Sequence, residues 1–144
     1  MLQLNYPAAL KRGSDGRFLV LFPDFPEAGT DGKDLNEALE EASDCLGSVI
    51  GFRIRHKEEV PLPSAPRRGQ RLIAVPFWIA GKLALYMAMR QQKVGNRELA
   101  RRLGVTELVV RRMLNPDHDT KSEKLQAALA VLGKRISAVV EDAA

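Results

Sequence analysis

The sequence predicts an α+β fold: a β-β-β-α-β layer over residues 1–77, then an all-α region over residues 78–144 that holds a helix-turn-helix and closes on a short strand pattern. Three observations predict it. Short strand-forming runs punctuated by Gly and Pro fill the chain up to Pro76, and one long amphipathic helix pattern is set among them. Beyond Pro76 the apolar spacing is helical. The charge changes sign along the chain as well: residues 1–64 carry 7 Lys/Arg against 11 Asp/Glu, whereas residues 65–144 carry 15 against 7. An acidic half suits a basic protein and a basic half suits a polyanion, so the two regions are expected to meet different partners.

The strand-like residues 2–12 end at Gly13-Ser14-Asp15-Gly16, whose turn chemistry predicts a hairpin. Phe18-Leu19-Val20-Leu21-Phe22 is too short for an isolated helix and reads as a buried strand, bounded by Pro23-Asp24-Phe25-Pro26. A third strand is expected at about 27–30. Asp34 then caps a helix, with Glu37 reaching back from the third helical position. The helix carries an apolar stripe at Leu35, Ala38, Leu39, Ala42, Leu46, Val49 and Ile50, which should cover the sheet. Its other face presents Glu37, Glu40, Glu41 and Asp44, and like charges one turn apart are unfavourable by a few tenths of a kcal/mol, or roughly 0.2–0.5. Such a face is either simply solvated or docks a cationic partner. Residues 58–70, with Pro61, Pro63, Pro66 and Gly69, read as an irregular connection, and residues 71–76 as a last strand that completes the sheet.

In the second region, Ile79, Leu83, Tyr86, Met87 and Met89 place a supporting helix over 78–92. The functional signal lies in residues 96–115. Asn96 is read as the cap of a first helix, Leu99 and Leu103 stand one turn apart, and small Ala100 permits close packing. Gly104 stops the helix, Val105 plugs the corner, and Thr106 caps a second helix whose Val110 and Met113 point inward. The outer face is left to Glu107, Leu108, Arg111 and Arg112. A helix with its amino end in the major groove contacts base edges through early residues and phosphates through flanking basic ones. The candidate DNA contacts are therefore Thr106, Glu107, Leu108, Arg111, Arg112 and Asn115, with Arg101 and Arg102 beside them. Residues 65–115 hold 11 Lys/Arg against 2 Asp/Glu. Thr120 with Glu123 then reads as a capping box for a helix over 124–132 ended by Gly133. Residues 136–140 resemble a strand that, paired with its symmetry mate, would give a dimer suited to a palindromic operator.

Several classes are excluded. A single cysteine, Cys45, cannot form an internal disulfide, and His56 and His118 lack ligand-like neighbours, so neither a metal nor a cofactor is expected. No apolar run reaches the roughly 18 residues of a membrane span, and a secretion signal is lacking, so the expected location is the cytoplasm, away from any membrane. No glycine-rich phosphate loop favours a one-component repressor that senses a small metabolite, which is the alternative reading.

Taken together, Gly16-Arg17-Phe18, the run from Phe22-Pro23-Asp24-Phe25-Pro26 to Glu27-Ala28-Gly29-Thr30, Glu37-Ala38, Pro61-Leu62-Pro63-Ser64, Lys82-Leu83-Ala84-Leu85-Tyr86 and residues 99–114 resemble a HicB-family antitoxin of the form with a carboxyl-terminal helix-turn-helix. The resemblance spans nearly the whole chain. It implies a partial ribonuclease-H-like fold for residues 1–77, a small basic HicA-like mRNA-cleaving toxin as partner, and repression of the chain's own operon. From the strand pattern at residues 136–140, a homodimer or a dimer of dimers built through the carboxyl-terminal region is expected. Charge complementarity, with 9 Asp/Glu against 2 Lys/Arg over residues 15–44, selects Asp24, Glu37, Glu40, Glu41 and Asp44 as candidate toxin contacts. A ribonuclease-H-like fold raises the alternative of two-metal RNA cleavage, but Asp24, Glu27, Asp31 and Asp34 crowd one segment, whereas such a site gathers carboxylates from separated elements. Asp24 reads more simply as a turn residue bonded to its own backbone.

Overall fold

The computed structural model describes residues 1–143. Its elements are β1 (Asn5–Arg12), β2 (Phe18–Phe22), β3 (Phe25–Gly32), α1 (Leu35–Arg55), β4 (Gln70–Ala74), α2 (Phe77–Gln92), α3 (Asn96–Leu103), α4 (Glu107–Leu114) and α5 (Ser122–Val131). The architecture is α+β, with the strands gathered before residue 75 and helices alone after it. The chain divides into two compact units, Met1–Ala80 and Gly81–Ala144.

In the first unit the four strands form one antiparallel sheet in the order β3-β2-β1-β4. The hairpin turn closes with the Gly13 N–H donating to the Arg17 carbonyl at 2.7 Å and Gly16 at φ +84°, a conformation that costs glycine little. β3 starts earlier and ends later than the sequence suggests. Phe25 and Pro26 belong to it, and Pro26 is tolerated because β3 is an edge strand. Pro7 sits in a central strand, yet β2 pairs with β1 only from Ala9 onward, so β2 loses no donor there.

The helix α1 lies over one face of the sheet and buries Ala38, Ala42, Leu46, Val49, Ile50 and Ile54, each large aliphatic side chain contributing roughly 1.5–3 kcal/mol. Asp34 caps it, accepting from the Glu37 N–H at 2.9 Å, and the Glu37 carboxylate reaches back one residue further than expected, to the Lys33 N–H. Gly32 makes this close approach possible, since a Cβ there would lie 2.3 Å from the Ala38 nitrogen. β2 is not buried on both faces. Val20 and Phe22 point inward while Leu19 and Leu21 remain 43% and 38% exposed, because a single helix can cover only one side of a sheet.

The irregular connection is anchored rather than loose. Tyr6 Oη donates to the Pro61 carbonyl at 2.6 Å, Arg53 Nη1 donates to the Glu59 carbonyl at 2.9 Å, and Asp24 accepts from both the N–H and the Oγ of Ser64. Asp24 is thus bonded to the connection 40 residues away rather than to its own turn. Burial raises the Tyr6 hydroxyl above its usual range, with Asp24 adding to the effect and Arg53 opposing it.

The second unit is helical, with Leu85, Met89, Leu99, Val110, Met113, Leu129 and Leu132 in one core. Leu85 and Ala88 are buried on α2 along with the expected Leu83, Tyr86 and Met89, whereas Met87 is only partly covered. Four of the helices end alike. A residue in the left-handed region (Lys57, Lys93, Gly104, Gly133) follows α1, α2, α3 and α5, its N–H and the next one returning to carbonyls three and five residues back. The capping box expected at Thr120 and Glu123 does not form. α5 starts at Ser122 behind Lys121, and the Thr120 hydroxyl is engaged elsewhere. Residues 134–143 form no strand within this chain.

Candidate functional site

The helix-turn-helix is built from α3 and α4. Gly95, rather than Asn96, occupies the cap position of α3, and no side chain caps that end. Leu99 and Ala100 are buried and Leu103 is packed against the same core. Gly104, at φ +68°, ends the helix, and the Val105 N–H returns to the Ala100 carbonyl at 3.0 Å. This tight turn leaves Val105 37% exposed, so it does not plug the corner; Leu103 and Val109 pack against the core there instead. Thr106 caps α4, accepting from the Val109 N–H at 3.4 Å, and Val110 and Met113 are buried.

That anchoring fixes which residues face outward. Thr106, Glu107, Leu108, Arg111 and Arg112 are all exposed on or beside α4. Among the described residues, no ion pair or hydrogen bond engages the Arg111 or Arg112 guanidinium. The other candidates are in different states. Arg101 makes a two-point contact with Glu98, with Nε at 2.9 Å from Oε2, and Arg102 Nε reaches Glu98 Oε1 at 2.9 Å. The hydrogen bonds from Arg101 and then Arg102 hold the Glu98 carboxyl down to about 2. Glu107 lies 3.6 Å from Arg97. Asn115 accepts from the Asp117 N–H at 3.0 Å, a turn that leads the chain out of α4.

Sequence reasoning misses Lys82. This α2 side chain is 4% exposed, and its ammonium donates to the Arg112 carbonyl at 3.1 Å, the Met113 carbonyl at 3.1 Å and Thr120 Oγ1 at 2.9 Å. Burial lowers its pKa, and the charge of Asp119 partly restores it. A lysine within an apolar helix pattern is the available signal, but its acceptors lie 30–38 residues away.

On α1, Glu40, Glu41 and Asp44 are exposed and carry no partner among the described residues. Glu37 lies on the same side but is engaged in the cap, and Asp24 is held by Ser64. These five residues therefore do not form one uniform cluster. Of the remaining acidic residues near β2 and β3, Asp31 pairs with Arg17 at 2.8 Å and Glu27 with Arg53 at 2.8 Å. Among the described residues, no three His, Cys, Asp or Glu side chains converge to hold a metal ion, and no helix is long and apolar enough to cross a membrane.

Comparison with known proteins gives a consistent result. A family model described as HicB_like antitoxin of bacterial toxin-antitoxin system matches residues 5–84. The chain is similar to Antitoxin HicB of Escherichia coli (strain K12), at 36% identity over 137 residues that cover 95% of this chain and 99% of that protein. It is similar also to Antitoxin HicB 2 of Photorhabdus laumondii subsp. laumondii, at 36% over 94% of this chain and 96% of that one, and to Antitoxin HicB of Pseudomonas fluorescens, at 31% over 83% of each.

Proposed function

Because the chain belongs to the HicB-like antitoxin family, we propose that it inhibits a HicA-like mRNA-cleaving toxin through residues 1–77 and represses its own operon by binding operator DNA through residues 78–144. The observation that carries the DNA half is the two-sided character of α4. Val110 and Met113 hold it to the core, and Thr106, Glu107, Leu108, Arg111 and Arg112 are left facing outward. In a major groove the Arg111 or Arg112 fork matches guanine O6 and N7, Glu107 can accept from a cytosine amino group, and Leu108 can touch a thymine methyl. Arg101, Arg102 and Asn115 flank this face as phosphate contacts.

The toxin half rests on charge. A ribonuclease must carry positive potential to hold RNA, and Glu40, Glu41 and Asp44, with Glu37 and Asp24 at the margin, offer the complementary sign. Residues 136–140 support an oligomer. Val139 and Val140 are 78% and 97% exposed in the single chain, and pairing these residues between two copies would cover them and align two α4 helices for a palindromic site.

The test uses the full chain. It should bind its own promoter duplex more tightly than a scrambled one, with affinity falling linearly in log–log form against salt, and it should stop RNA cleavage by the cognate toxin at equimolar ratio. Equal affinity for promoter and scrambled duplex at every salt concentration removes the operator reading. Undiminished cleavage removes the toxin reading. Charge reversal at Glu40, Glu41 and Asp44 should slow toxin association most at low salt; an unchanged rate would place the contact elsewhere.

A further inference from the structure

The helices of this protein share one way of ending, and α4 departs from it. After α1, α2, α3 and α5 a left-handed residue turns the chain back and its neighbouring N–H groups satisfy the last carbonyls. α4 ends instead on Asn115 in an extended conformation (φ −79°, ψ 115°), which leaves the Met113 carbonyl without such a return and the Arg112 carbonyl with the Asn115 N–H at 3.2 Å. Lys82 fills the gap. An ammonium has three donors, and here all three are matched, to Arg112 O, Met113 O and Thr120 Oγ1. Thr120 Oγ1 itself donates to Arg112 O at 3.2 Å and lies 2.9 Å from His118 Nδ1. The cation therefore sits at the negative end of α4 and is tied both to it and to the segment that follows.

A buried charge is an expensive way to fill space. Methionine has similar length and would satisfy an apolar core without desolvating an ammonium. What methionine cannot do is hold two specific carbonyls, one of which belongs to Arg112. We infer that Lys82 is a positioning residue for operator reading: it locks the backbone at the carboxyl end of α4 and so fixes the direction from which the Arg112 side chain reaches DNA. This inference rests on the operator reading above. Lys82 itself is covered and its three donors are taken, so it has no hydrogen to offer a phosphate. Its removal should lower discrimination between sequences and leave charge-driven binding in place.

The experiment compares the full wild-type chain with Lys82→Met and Thr120→Val, measuring amide exchange without DNA and affinity for promoter and scrambled duplexes across salt. For Lys82→Met the amides of residues 112–115 should exchange faster while those of 102–105 keep their wild-type rates. Promoter affinity should fall about tenfold, as expected when a bidentate base contact loses its geometry, with scrambled-duplex affinity within about twofold and the salt slope unchanged. Thr120→Val removes from a partly exposed position one acceptor of Lys82 together with the hydroxyl's own bond to the Arg112 carbonyl, and should act in the same direction by about threefold. Lys82→Gln, which shortens the side chain and removes the charge while leaving Thr120 in place, carries the test alone if Lys82→Met does not fold. Wild-type exchange at 112–115, or equal losses on both duplexes, overturns the inference. A wild-type chain that does not prefer its promoter overturns the operator reading; a preference that survives at full size in Lys82→Met overturns only the role given to Lys82.

Discussion

The two helices of the helix-turn-helix treat their arginines in opposite ways. On α3, Arg101 and Arg102 converge on one carboxylate, Glu98, and Arg97 lies near Glu107. On α4, Arg111 and Arg112 have no partner among the described residues. Four arginines that look equivalent by residue type thus differ in readiness. Arg101 and Arg102 must give up an existing ion pair to meet a phosphate, whereas Arg111 and Arg112 give up only water. On the proposed operator reading, the difference teaches that a basic segment marks where a polyanion would be met, and that local pairing decides which cations are free to read it.

The largest effect should come from α4. Arg112→Ala is expected to cost about 1–3 kcal/mol in promoter binding and to relax base preference at one position, with Arg111→Ala in the same range if it makes the second base contact. Arg101→Ala and Arg102→Ala should each cost about 0.5 kcal/mol or less, since each gives up an ion pair when it binds. Fluorescence anisotropy on promoter and scrambled duplexes at one salt concentration checks all four. Equal losses for the α3 and α4 variants would erase the contrast between the helices.

Glu98→Gln sharpens the same comparison from the other side. Freed from the carboxylate, Arg101 and Arg102 should become available to phosphates, so affinity for scrambled duplex should rise and the log–log salt slope should steepen by about 0.9 for each additional phosphate neutralised. The carboxyl is held down to about 2, so its pairing contributes stability that is fully present above the ordinary carboxylate range and is lost progressively as pH falls from that range through about 2, while the folded chain keeps the ion pair until about 2. Lowering pH from 7 to 5 should therefore not reproduce the Glu98→Gln phenotype. A steeper salt slope for the wild-type chain at pH 5 that is absent in Glu98→Gln would contradict this.

The smallest effects concern the helix ends. Lys93 occupies the left-handed region at φ 56° where Gly104 does so at φ 68°. Because that region costs a side chain roughly 1–2 kcal/mol and glycine costs some chain entropy, Lys93→Gly should stabilise the protein by about 0.5 kcal/mol. Gly104→Ala should destabilise it by about 1 kcal/mol, from backbone strain alone, since open space surrounds a Cβ there. Urea denaturation followed by circular dichroism measures both; the same sign for the two substitutions would mean that the left-handed turn is not what ends α2.

Much of the architecture is legible in the chain. Alternating and short apolar runs mark the strands, the 3.6-residue spacing marks α1 and α2, and the Leu-Gly-Val run between two short amphipathic stretches marks the α3–α4 turn. These signals are local: each depends on residues within a turn or two, where side-chain period and glycine's access to positive φ act directly. Gly104 and Gly133 are legible as helix stops for that reason, and Lys57 and Lys93, which make the same turn at a steric cost, are not.

The remaining features are decided by tertiary contact. Asp24 serves Ser64 across 40 residues, Thr120 serves Lys82 across 38 instead of capping α5, and Lys82 serves the carbonyls of α4 rather than water. β2 is bare on one face because α1 covers only the other. A sequence states which groups can donate, accept or be buried, and its periodicity states which of them share a face. Which distant group answers is settled only when the chain closes on itself, because a buried donor takes the nearest acceptor in space, whatever its distance along the chain.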